Sequence, residues 1–328
     1  MSIEAFDFDE SSCGRTQKYE ELVKAPFAYI TGNTKGKSMR KKLMETYNLL
    51  LNVPRSRLSK LEELVNLLHL SSLLIDDVED SSDMRRGKPC AHKIFGSASA
   101  VNCSGFMYFK ALELATEIFN YDGEKREKAV SIFMEELLNL HYGQGLDLYW
   151  RDNFICPTEQ EYVMMVWNKT GGLFRLSTRL MELASGKSVP DLVKLSNLLG
   201  VLYQIKDDYL NLKSSEYRSK KGFCEDITEG KFSFPVVYSI TTCRKSADLQ
   251  SDAQELIDIL RLRTKDTELK VHCVEIMERV GALDHSLNII HKLQKKADAL
   301  VSSIMDKNQC DEVTIAAFNA IMKKLGEV

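Results

Sequence analysis

Carboxylates are concentrated in the segment LLIDDVEDSSDMRRG, residues 73–87, which begins with an apolar run. On a helix that advances by about 100° per residue, Asp76 and Asp80 lie within about 40° of each other. His69 lies within about 20° of Asp76 on the same helix, and Asp77 is adjacent. Oxygen clusters of this kind suit hard divalent cations, above all Mg²⁺ bound through carboxylates, water and phosphate. The spacing therefore predicts a metal site, because bare acids here would repel one another and oppose the helix dipole.

A second acidic pair follows a second apolar run. Asp207 and Asp208 come just after LVKLSNLLGVLYQI, residues 192–205, and Gln204 lies one turn before Asp208. We expect each acidic group to lie at the end of an apolar helix. A single group of this kind is also typical of a solvated helix end, whereas two favour a shared cation site.

Basic side chains occur near both acidic groups. They are Lys37, Arg40, Arg85, Arg86, Lys169, Lys221 and Lys231. Each one alone is typical of a solvated surface charge. Together with two metal sites they indicate a polyanion, because lysine and arginine bind the phosphate oxygens that Mg²⁺ also bridges. Since the acids follow apolar helices, we expect the polyanion to carry a hydrocarbon, as a prenyl diphosphate does.

The elements that must position these residues are predicted to be helices. Only 6 prolines interrupt 328 residues, and apolar side chains recur at helical spacing along most of the chain. Capping boxes at Ser59–Glu62 and Thr158–Glu161 predict two helix starts, and Gly171-Gly172 predicts a break or kink. No run of alternating residues predicts a strand. We expect a polar segment at 1–20 and a single all-α domain at 21–328.

Composition excludes several other classes of protein. A net charge of −3 gives no general case for nucleic-acid binding. The 8 cysteines never approach C-x-x-C spacing, which argues against zinc and dithiol redox sites and favours free thiols in a reducing compartment. The acidic start MSIEAFDFDE lacks an apolar signal region, and no apolar run is long enough to span a membrane. We therefore expect a cytoplasmic protein without a transmembrane segment.

Four motifs in order resemble a known family. LLIDDVED followed by RRG, NKTGGLFRL, YQIKDDYLNL and GKFSFP are similar to those of the trans-prenyltransferases, which join isoprenyl diphosphates head to tail. Within that family they resemble the geranylgeranyl diphosphate synthases of fungi. The resemblance implies a helical bundle around a deep central cavity, a homodimer, and a cluster of Mg²⁺ ions, commonly three, that binds the allylic diphosphate. It also implies condensation of isopentenyl diphosphate with an allylic diphosphate, here farnesyl diphosphate, to a C20 product.

The resemblance also implies a role for each motif residue. Asp76, Asp80 and Asp207 would bind metal, with Asp77 and Asp208 in support. Arg85, Lys169, Lys221 and Lys231 would contact the allylic diphosphate, and Lys37, Arg40, His69 and Arg86 would hold isopentenyl diphosphate. Thr170 and Gln204 would lie beside the allylic carbon. Asn211 stands where the longer family pattern has a third acid, so a metal role there is not expected.

Product length is expected to depend on five side chains. Ser71 and Ser72 lie about one turn before Asp76, where small residues would leave the path for the growing chain open. By resemblance, Tyr108, Phe109 and His141 would form the floor that stops growth near C20. The alternative is that these three are ordinary core residues. The segment HYGQGLDLYWRDN, residues 141–153, carries acids typical of a catalytic site but is interpreted as having a structural role beside the cavity. Glu79, His92, His272, His285 and His291 are interpreted as ordinary structural residues.

Two other functions remain open at this stage. A class I terpene cyclase would share the first acidic motif and the helical fold, although YQIKDDYLNL lacks the metal triad that such cyclases use. A catalytically silent subunit or helical scaffold would need none of the acidic and basic residues described above.

Overall fold

The computed structural model describes residues 16–32, 39–213 and 223–326. Sixteen α-helices lie in these ranges: α1 Gln17–Val23, α2 Ala25–Gly32, α3 Met39–Leu51, α4 Arg55–Glu79, α5 Ala91–Phe95, α6 Ser97–Ile118, α7 Gly123–Asn153, α8 Glu159–Lys169, α9 Gly171–Ser185, α10 Leu192–Lys213, α11 Glu225–Glu229, α12 Phe234–Arg244, α13 Gln250–Leu262, α14 Thr267–Arg279, α15 Ala282–Lys307 and α16 Glu312–Gly326. The predicted all-α fold is confirmed. Lys37, Lys221 and residues 1–15 lie outside the described ranges.

The central helices are α4, α6, α7, α9 and α10, which pack side by side. Leucines such as Leu64, Leu68, Leu180 and Leu199 are fully buried between them. The helices α12 to α15 pack behind α10, and α16 lies against α3 and α15. No helix in the described ranges is long and apolar enough to span a membrane.

One predicted capping box is present and the other is wrong. Thr158 begins α8, and both reciprocal hydrogen bonds with Glu161 are formed. Ser59, in contrast, lies inside α4, which begins directly after Pro54. Glu62 is unavailable as a cap because it is buried and pairs with Lys41, at 2.9 Å, and with Arg55.

Close helix packing explains the glycines around residue 171. Helix α8 ends at Lys169 and α9 begins at Gly171, so the helix breaks where these glycines predicted a break. A Cβ atom on Gly200 of α10 would lie 2.8 Å from the Cα of Gly171, so the two helices touch backbone to backbone. A Cβ on Gly143 of α7 would lie 2.4 Å from the backbone nitrogen of Lys169. These contacts hold Lys169 and Thr170 against α7 and α10.

A short hairpin departs from the expectation of no strands. Met84–Arg85 (β1) pairs with Lys88–Pro89 (β2), and Arg86 and Gly87 form the turn with φ of 54° and 76°. Two residues per strand are too few for an alternating pattern to appear in sequence. The hairpin directs Arg85 back toward the end of α4.

Candidate active site

One cavity of about 550 Å³ opens between α4, α6, α7, α9, α10 and the hairpin. It brings together residues that are far apart in sequence. Of the residues predicted for the site, those that line the cavity are Arg40, His69, Ser72, Asp76, Asp80, Arg85, Arg86, Tyr108, His141, Lys169, Thr170, Gln204, Asp207 and Lys231. Ser71, Asp77, Phe109 and Asp208 lie outside this lining.

The acids at the end of α4 face different surroundings. Asp76 points into the cavity, where Arg85 lies at 3.4 Å and Lys169 at 3.8 Å. Asp77 is buried behind it, and its carboxylate accepts from Arg85 at 2.5 Å. Asp80 caps the helix and pairs with Arg151 of α7. Burial, with Asp76 nearby, raises the pKa of Asp80 to about 6. Asp76, Glu79 and Asp80 line the cavity, and of the three aspartates of this motif only Asp77 does not.

The second acidic pair lies within a helix and not at its end. Since α10 continues to Lys213, the expectation that Asp207 and Asp208 end an apolar helix is wrong. Asp207 lines the cavity opposite α4. Asp208 points the other way, is fully buried, and accepts from Tyr162 at 2.5 Å, the backbone nitrogen of Phe234 at 2.8 Å and Gln204 at 2.9 Å. These bonds favour a positioning role for Asp208 over direct metal contact.

Two lysines are held between acids at the centre of the cavity. Lys169 lies 2.6 Å from Asp147 of α7. Lys231 lies 3.5 Å from Asp208 and 3.8 Å from Asp226. Burial opposes their charge, but the neighbouring acids, Asp147 for Lys169 and Asp226 for Lys231, outweigh it and raise both pKa values. Both side chains are therefore ammonium ions that face an anion-sized space.

Arg40 and His69 form a second basic group. Arg40 is half-buried over the ring of Phe174, 5.5 Å from its centroid, and its buried Nε has no partner among the described residues. Burial lowers the pKa of His69 well below its ordinary value, and Arg40, Arg86 and Arg85 lower it further. His69 is thus a neutral imidazole at neutral pH, able to donate one hydrogen bond.

A hydrogen-bonded chain crosses from α9 to α10. The hydroxyl of Thr170 donates to Gln204 Oε1 at 2.8 Å, and Gln204 Nε2 donates to Asp208 at 2.9 Å. The buried Asp208 therefore fixes which way the Gln204 amide points. Thr170 and Gln204 both line the cavity.

The carboxylates that line the cavity suit Mg²⁺ better than a metal ion that is coordinated by protein side chains alone. Within the described residues, no group of three or more His, Cys, Asp or Glu side chains is close enough to form a metal cage. Mg²⁺ ordinarily binds one or two carboxylates and completes its octahedron with water and substrate phosphate. Asp76, Asp80 and Asp207 supply carboxylates on both sides of one open space, which is the pattern that such binding needs.

Several cavity residues are absent from the predicted site. Gln144, Asp147, Arg151 and Glu79 all line the cavity, which agrees with the interpretation that residues 141–153 lie beside it. The structural role of these residues stays an interpretation. Gln144 donates to Glu79 at 2.7 Å. The spacing 144, 147 and 151 places these side chains on one face of α7, and this signal in the sequence could have identified them. Asp226 and Glu229 also line the cavity, but no comparable periodicity marks them.

The predicted floor is only partly present. Tyr108 and His141 line the cavity with ring centroids 5.4 Å apart. Phe109 does not, because its side chain is 74% exposed on the outer face of α6, and the prediction that it lies in the floor of this chain's cavity is wrong. Ser72 lines the path, whereas Ser71 is buried against α6. The histidines 92, 272, 285 and 291 lie outside the lining, as expected.

Comparison with known proteins agrees with this geometry. The polyprenyl synthetase family profile matches residues 20–277. A geranylgeranyl pyrophosphate synthase of Gibberella zeae is 45% identical over 88% of this chain and 74% of its own length. Synthases of the same name from Penicillium canescens and Apiospora sacchari are each 44% identical, over 90% and 89% of this chain and 84% and 83% of their own lengths. The chain belongs to the polyprenyl synthetase family, as the motifs predicted.

Proposed function

We propose that this chain is a Mg²⁺-dependent prenyltransferase that condenses isopentenyl diphosphate with farnesyl diphosphate to give geranylgeranyl diphosphate and free diphosphate. The observation that carries the proposal is the single cavity in which Asp76, Asp80 and Asp207 face Lys169 and Lys231. The product is supported by the relatives, which are geranylgeranyl pyrophosphate synthases by name.

Asp76, Asp80 and Asp207 would hold Mg²⁺, with three ions as the family resemblance implies. When bound, the metal supplies Lewis-acid stabilisation of the departing diphosphate. Asp77 supports the site indirectly because it fixes Arg85. Asp208 does so through Gln204 and Lys231.

Lys169, Lys231 and Arg85 would bind the allylic diphosphate and stabilise its charge as the carbon–oxygen bond breaks. Their ammonium and guanidinium groups are already oriented by acids, so little reorganisation is needed when the charge develops. Lys221 is part of the same proposal and lies outside the described residues.

Arg40, His69 and Arg86 would bind isopentenyl diphosphate, together with Lys37, which is not described. The oxygens of Thr170 and Gln204 would face the allylic carbocation and stabilise it. The double bond of isopentenyl diphosphate would attack that cation, and the released diphosphate would accept the proton that the new chain loses. The cavity walls must exclude water, because water would convert the cation to an alcohol.

Tyr108 and His141 would set the length of the product. Both residues line the cavity, Tyr108 from α6 and His141 from α7, with ring centroids 5.4 Å apart. A chain that grows between these helices would meet the two rings and stop near C20.

A homodimer is part of the proposal. Met134, Leu138 and Tyr142 form an apolar stripe along α7, with exposed fractions of 54%, 69% and 57%, and Phe109 is exposed on the adjacent α6. A second copy packed on this face would cover these side chains. Segment 1–20 is proposed to contribute, although residues 1–15 are not described.

A cytoplasmic location is also proposed. None of the seven described cysteines, five of them buried, forms a disulfide, which is typical of a reducing compartment.

The proposal is tested by calorimetry and product analysis of the purified chain. Farnesyl thiolodiphosphate, an unreactive substrate analogue, should bind only with Mg²⁺ present, and Asp207→Ala should weaken binding. Turnover of farnesyl diphosphate should require isopentenyl diphosphate. A terpene formed without isopentenyl diphosphate would identify a cyclase, and absence of Mg²⁺-dependent binding would identify a silent subunit.

A further inference from the structure

Arg151 is a buried cation in the cavity wall, and the proposed reaction assigns no role to it. It lies near the C-terminal end of α7 and is 5% exposed. All of its guanidinium nitrogens are engaged. Nη1 donates to Asp80 Oδ1, Nη2 donates to the backbone oxygen of Glu79 at 2.9 Å, and Nε donates to Asp152 at 3.1 Å.

Two of these bonds fix Asp80, because one holds its carboxylate and the other holds the Glu79 carbonyl in the peptide that precedes it. The Glu79 oxygen belongs to the last turn of α4, where carbonyls have no partner within the helix. Arg151 satisfies that carbonyl and also places positive charge at the negative end of the helix. A planar guanidinium can span a carboxylate and a carbonyl at once, whereas a lysine ammonium cannot match this fixed geometry.

Arg151 uses one oxygen of the Asp80 carboxylate, so it acts as an anchor for that group. The other two aspartates of the motif have cations of their own, because Arg85 holds Asp77 and Lys169 lies near Asp76. Arg151 is the cation from outside the four motifs that contacts Asp80.

The hydrogen bonds of Arg151 continue outward through Asp152 to Arg263, and this outer contact provides a control for variants of Arg151. Arg263, which follows α13, donates to Asp152 at 2.6 Å. Both side chains of this outer pair are exposed, by 38% and 52%, so solvent screens the pair strongly. Removal of Arg263 would break the outer ion pair and leave the bonds from Arg151 to Asp80 and Glu79 in place.

We propose that Arg151 is a positioning residue that holds Asp80 in the orientation in which it binds Mg²⁺. The inference rests on the proposed function. Groups that orient metal ligands typically alter metal affinity or activity by about 10–100-fold when they are changed. A role in folding alone would alter stability and leave metal dependence unchanged.

The test compares Arg151→Gln, Arg151→Lys and the control Arg263→Ala with the wild type. Binding of inorganic pyrophosphate is measured by calorimetry at a series of Mg²⁺ concentrations, and turnover is measured at the same concentrations. Arg151→Gln should need at least about 10-fold more Mg²⁺ than the wild type for half-maximal binding and turnover. Arg151→Lys should show a smaller increase than Arg151→Gln, and Arg263→Ala should need about as much Mg²⁺ as the wild type. If Arg151→Gln fails to fold, Arg151→Lys decides the result.

A double-mutant cycle with Asp80→Asn separates the alternatives. If Arg151 acts through Asp80, Arg151→Gln should change Mg²⁺-dependent pyrophosphate binding less than about 2-fold in the Asp80→Asn background. An undiminished effect in that background, or weaker pyrophosphate binding without Mg²⁺, would indicate direct phosphate contact and overturn the inference. Lower stability with unchanged Mg²⁺ dependence would do the same. A wild type that binds no pyrophosphate with Mg²⁺ would contradict the proposed function itself.

Discussion

At the scale of residues, three neighbouring acids at the end of α4 have three different surroundings. Asp76 faces the cavity, Asp77 is buried against Arg85, and Asp80 is anchored by Arg151. Each acid opposes the helix dipole by roughly 0.3–1 kcal/mol, and each has a cation nearby that offsets this cost. The placement of acid at a helix end is therefore explained by the cations that surround it.

Asp76→Ala and Asp207→Ala should each lower turnover by at least about 100-fold, because each removes a carboxylate that would share Mg²⁺ with the substrate. The unfolding transition should hardly change, since both side chains line an open cavity and not the core. Steady-state assays and thermal unfolding measure the two effects. Asp258→Ala, on the exposed face of α13, is the matched control. Near-normal turnover in either cavity variant would rule out its metal role.

Glu229→Gln should make stability less dependent on pH. Burial, then Asp80 and Asp226, raise the pKa of Glu229 well above its ordinary value of 4.5. The folded protein keeps a proton there that the unfolded chain releases, so stability falls as pH rises above 4.5. Glutamine does not titrate, so the variant does not lose this stability as the pH rises. The unfolding free energy of the variant, relative to that of the wild type, should therefore increase by up to about 1.4 kcal/mol per pH unit.

Urea unfolding with a chelator present, from about pH 5 to about pH 8, measures this difference. Glu127→Gln, at an exposed position of α7, is the control. A constant difference between wild type and Glu229→Gln over that range would contradict the prediction.

At the scale of elements, close packing of helices places the reactive side chains. The contact between Gly171 and Gly200 brings α9 onto α10, and this lets Thr170 reach Gln204 at 2.8 Å. The sequence indicated a break at these glycines. It did not indicate the helix-to-helix contact, because local propensity carries no information about which helices touch.

Contacts between helices also explain which helix ends were predicted correctly from local sequence patterns. The capping box at Thr158 predicted a helix start because its bonds lie within one turn. The capping box at Ser59 is absent because Glu62 pairs with Lys41 on another helix. The end of α10 was misplaced, because the helix continues past Asp208, which pairs with Lys231 from a distant part of the sequence. Tertiary partners override local patterns in both cases.

Ser72→Phe should shorten the product below C20, because Ser72 lines the cavity one turn before Asp76 and a ring there would narrow the path. Ser71→Phe is the informative comparison. Ser71 is fully buried, its hydroxyl donates to Leu67 and its backbone oxygen accepts from Ser104 of α6. A ring there should cost about 1–3 kcal/mol of stability through overpacking.

Product chain length and thermal unfolding of the two variants measure these effects. An unchanged C20 distribution in Ser72→Phe would contradict the proposed path along α4. A shortened product from a stable Ser71→Phe would show that the path passes behind that helix.

At the scale of the whole molecule, ionic and apolar surfaces are separated. The carboxylates and lysines converge on one cavity, whereas the apolar stripe of α7 lies on the exterior beside Phe109. The family resemblance predicted that Phe109 lies in the floor of the cavity. It could not indicate the exposure of this side chain, which depends on how α6 is rotated against α4 and α7.

Leu138→Glu should convert a dimer to a monomer, because an interface at the stripe of α7 would bury the new carboxylate without a partner. Sedimentation velocity measures the mass. Leu262→Glu, with a similar exposed fraction of 64% on α13, is the control and should remain dimeric. A dimer that survives Leu138→Glu, or a monomeric wild type, would contradict the proposed interface.

The most direct test of the central claim is the product that the purified protein makes from labelled isopentenyl diphosphate, farnesyl diphosphate and Mg²⁺. The account predicts a C20 diphosphate that disappears when a chelator is added and returns with excess Mg²⁺. A product longer than C20 would contradict the floor at Tyr108 and His141. No condensation by the folded protein would contradict the account as a whole.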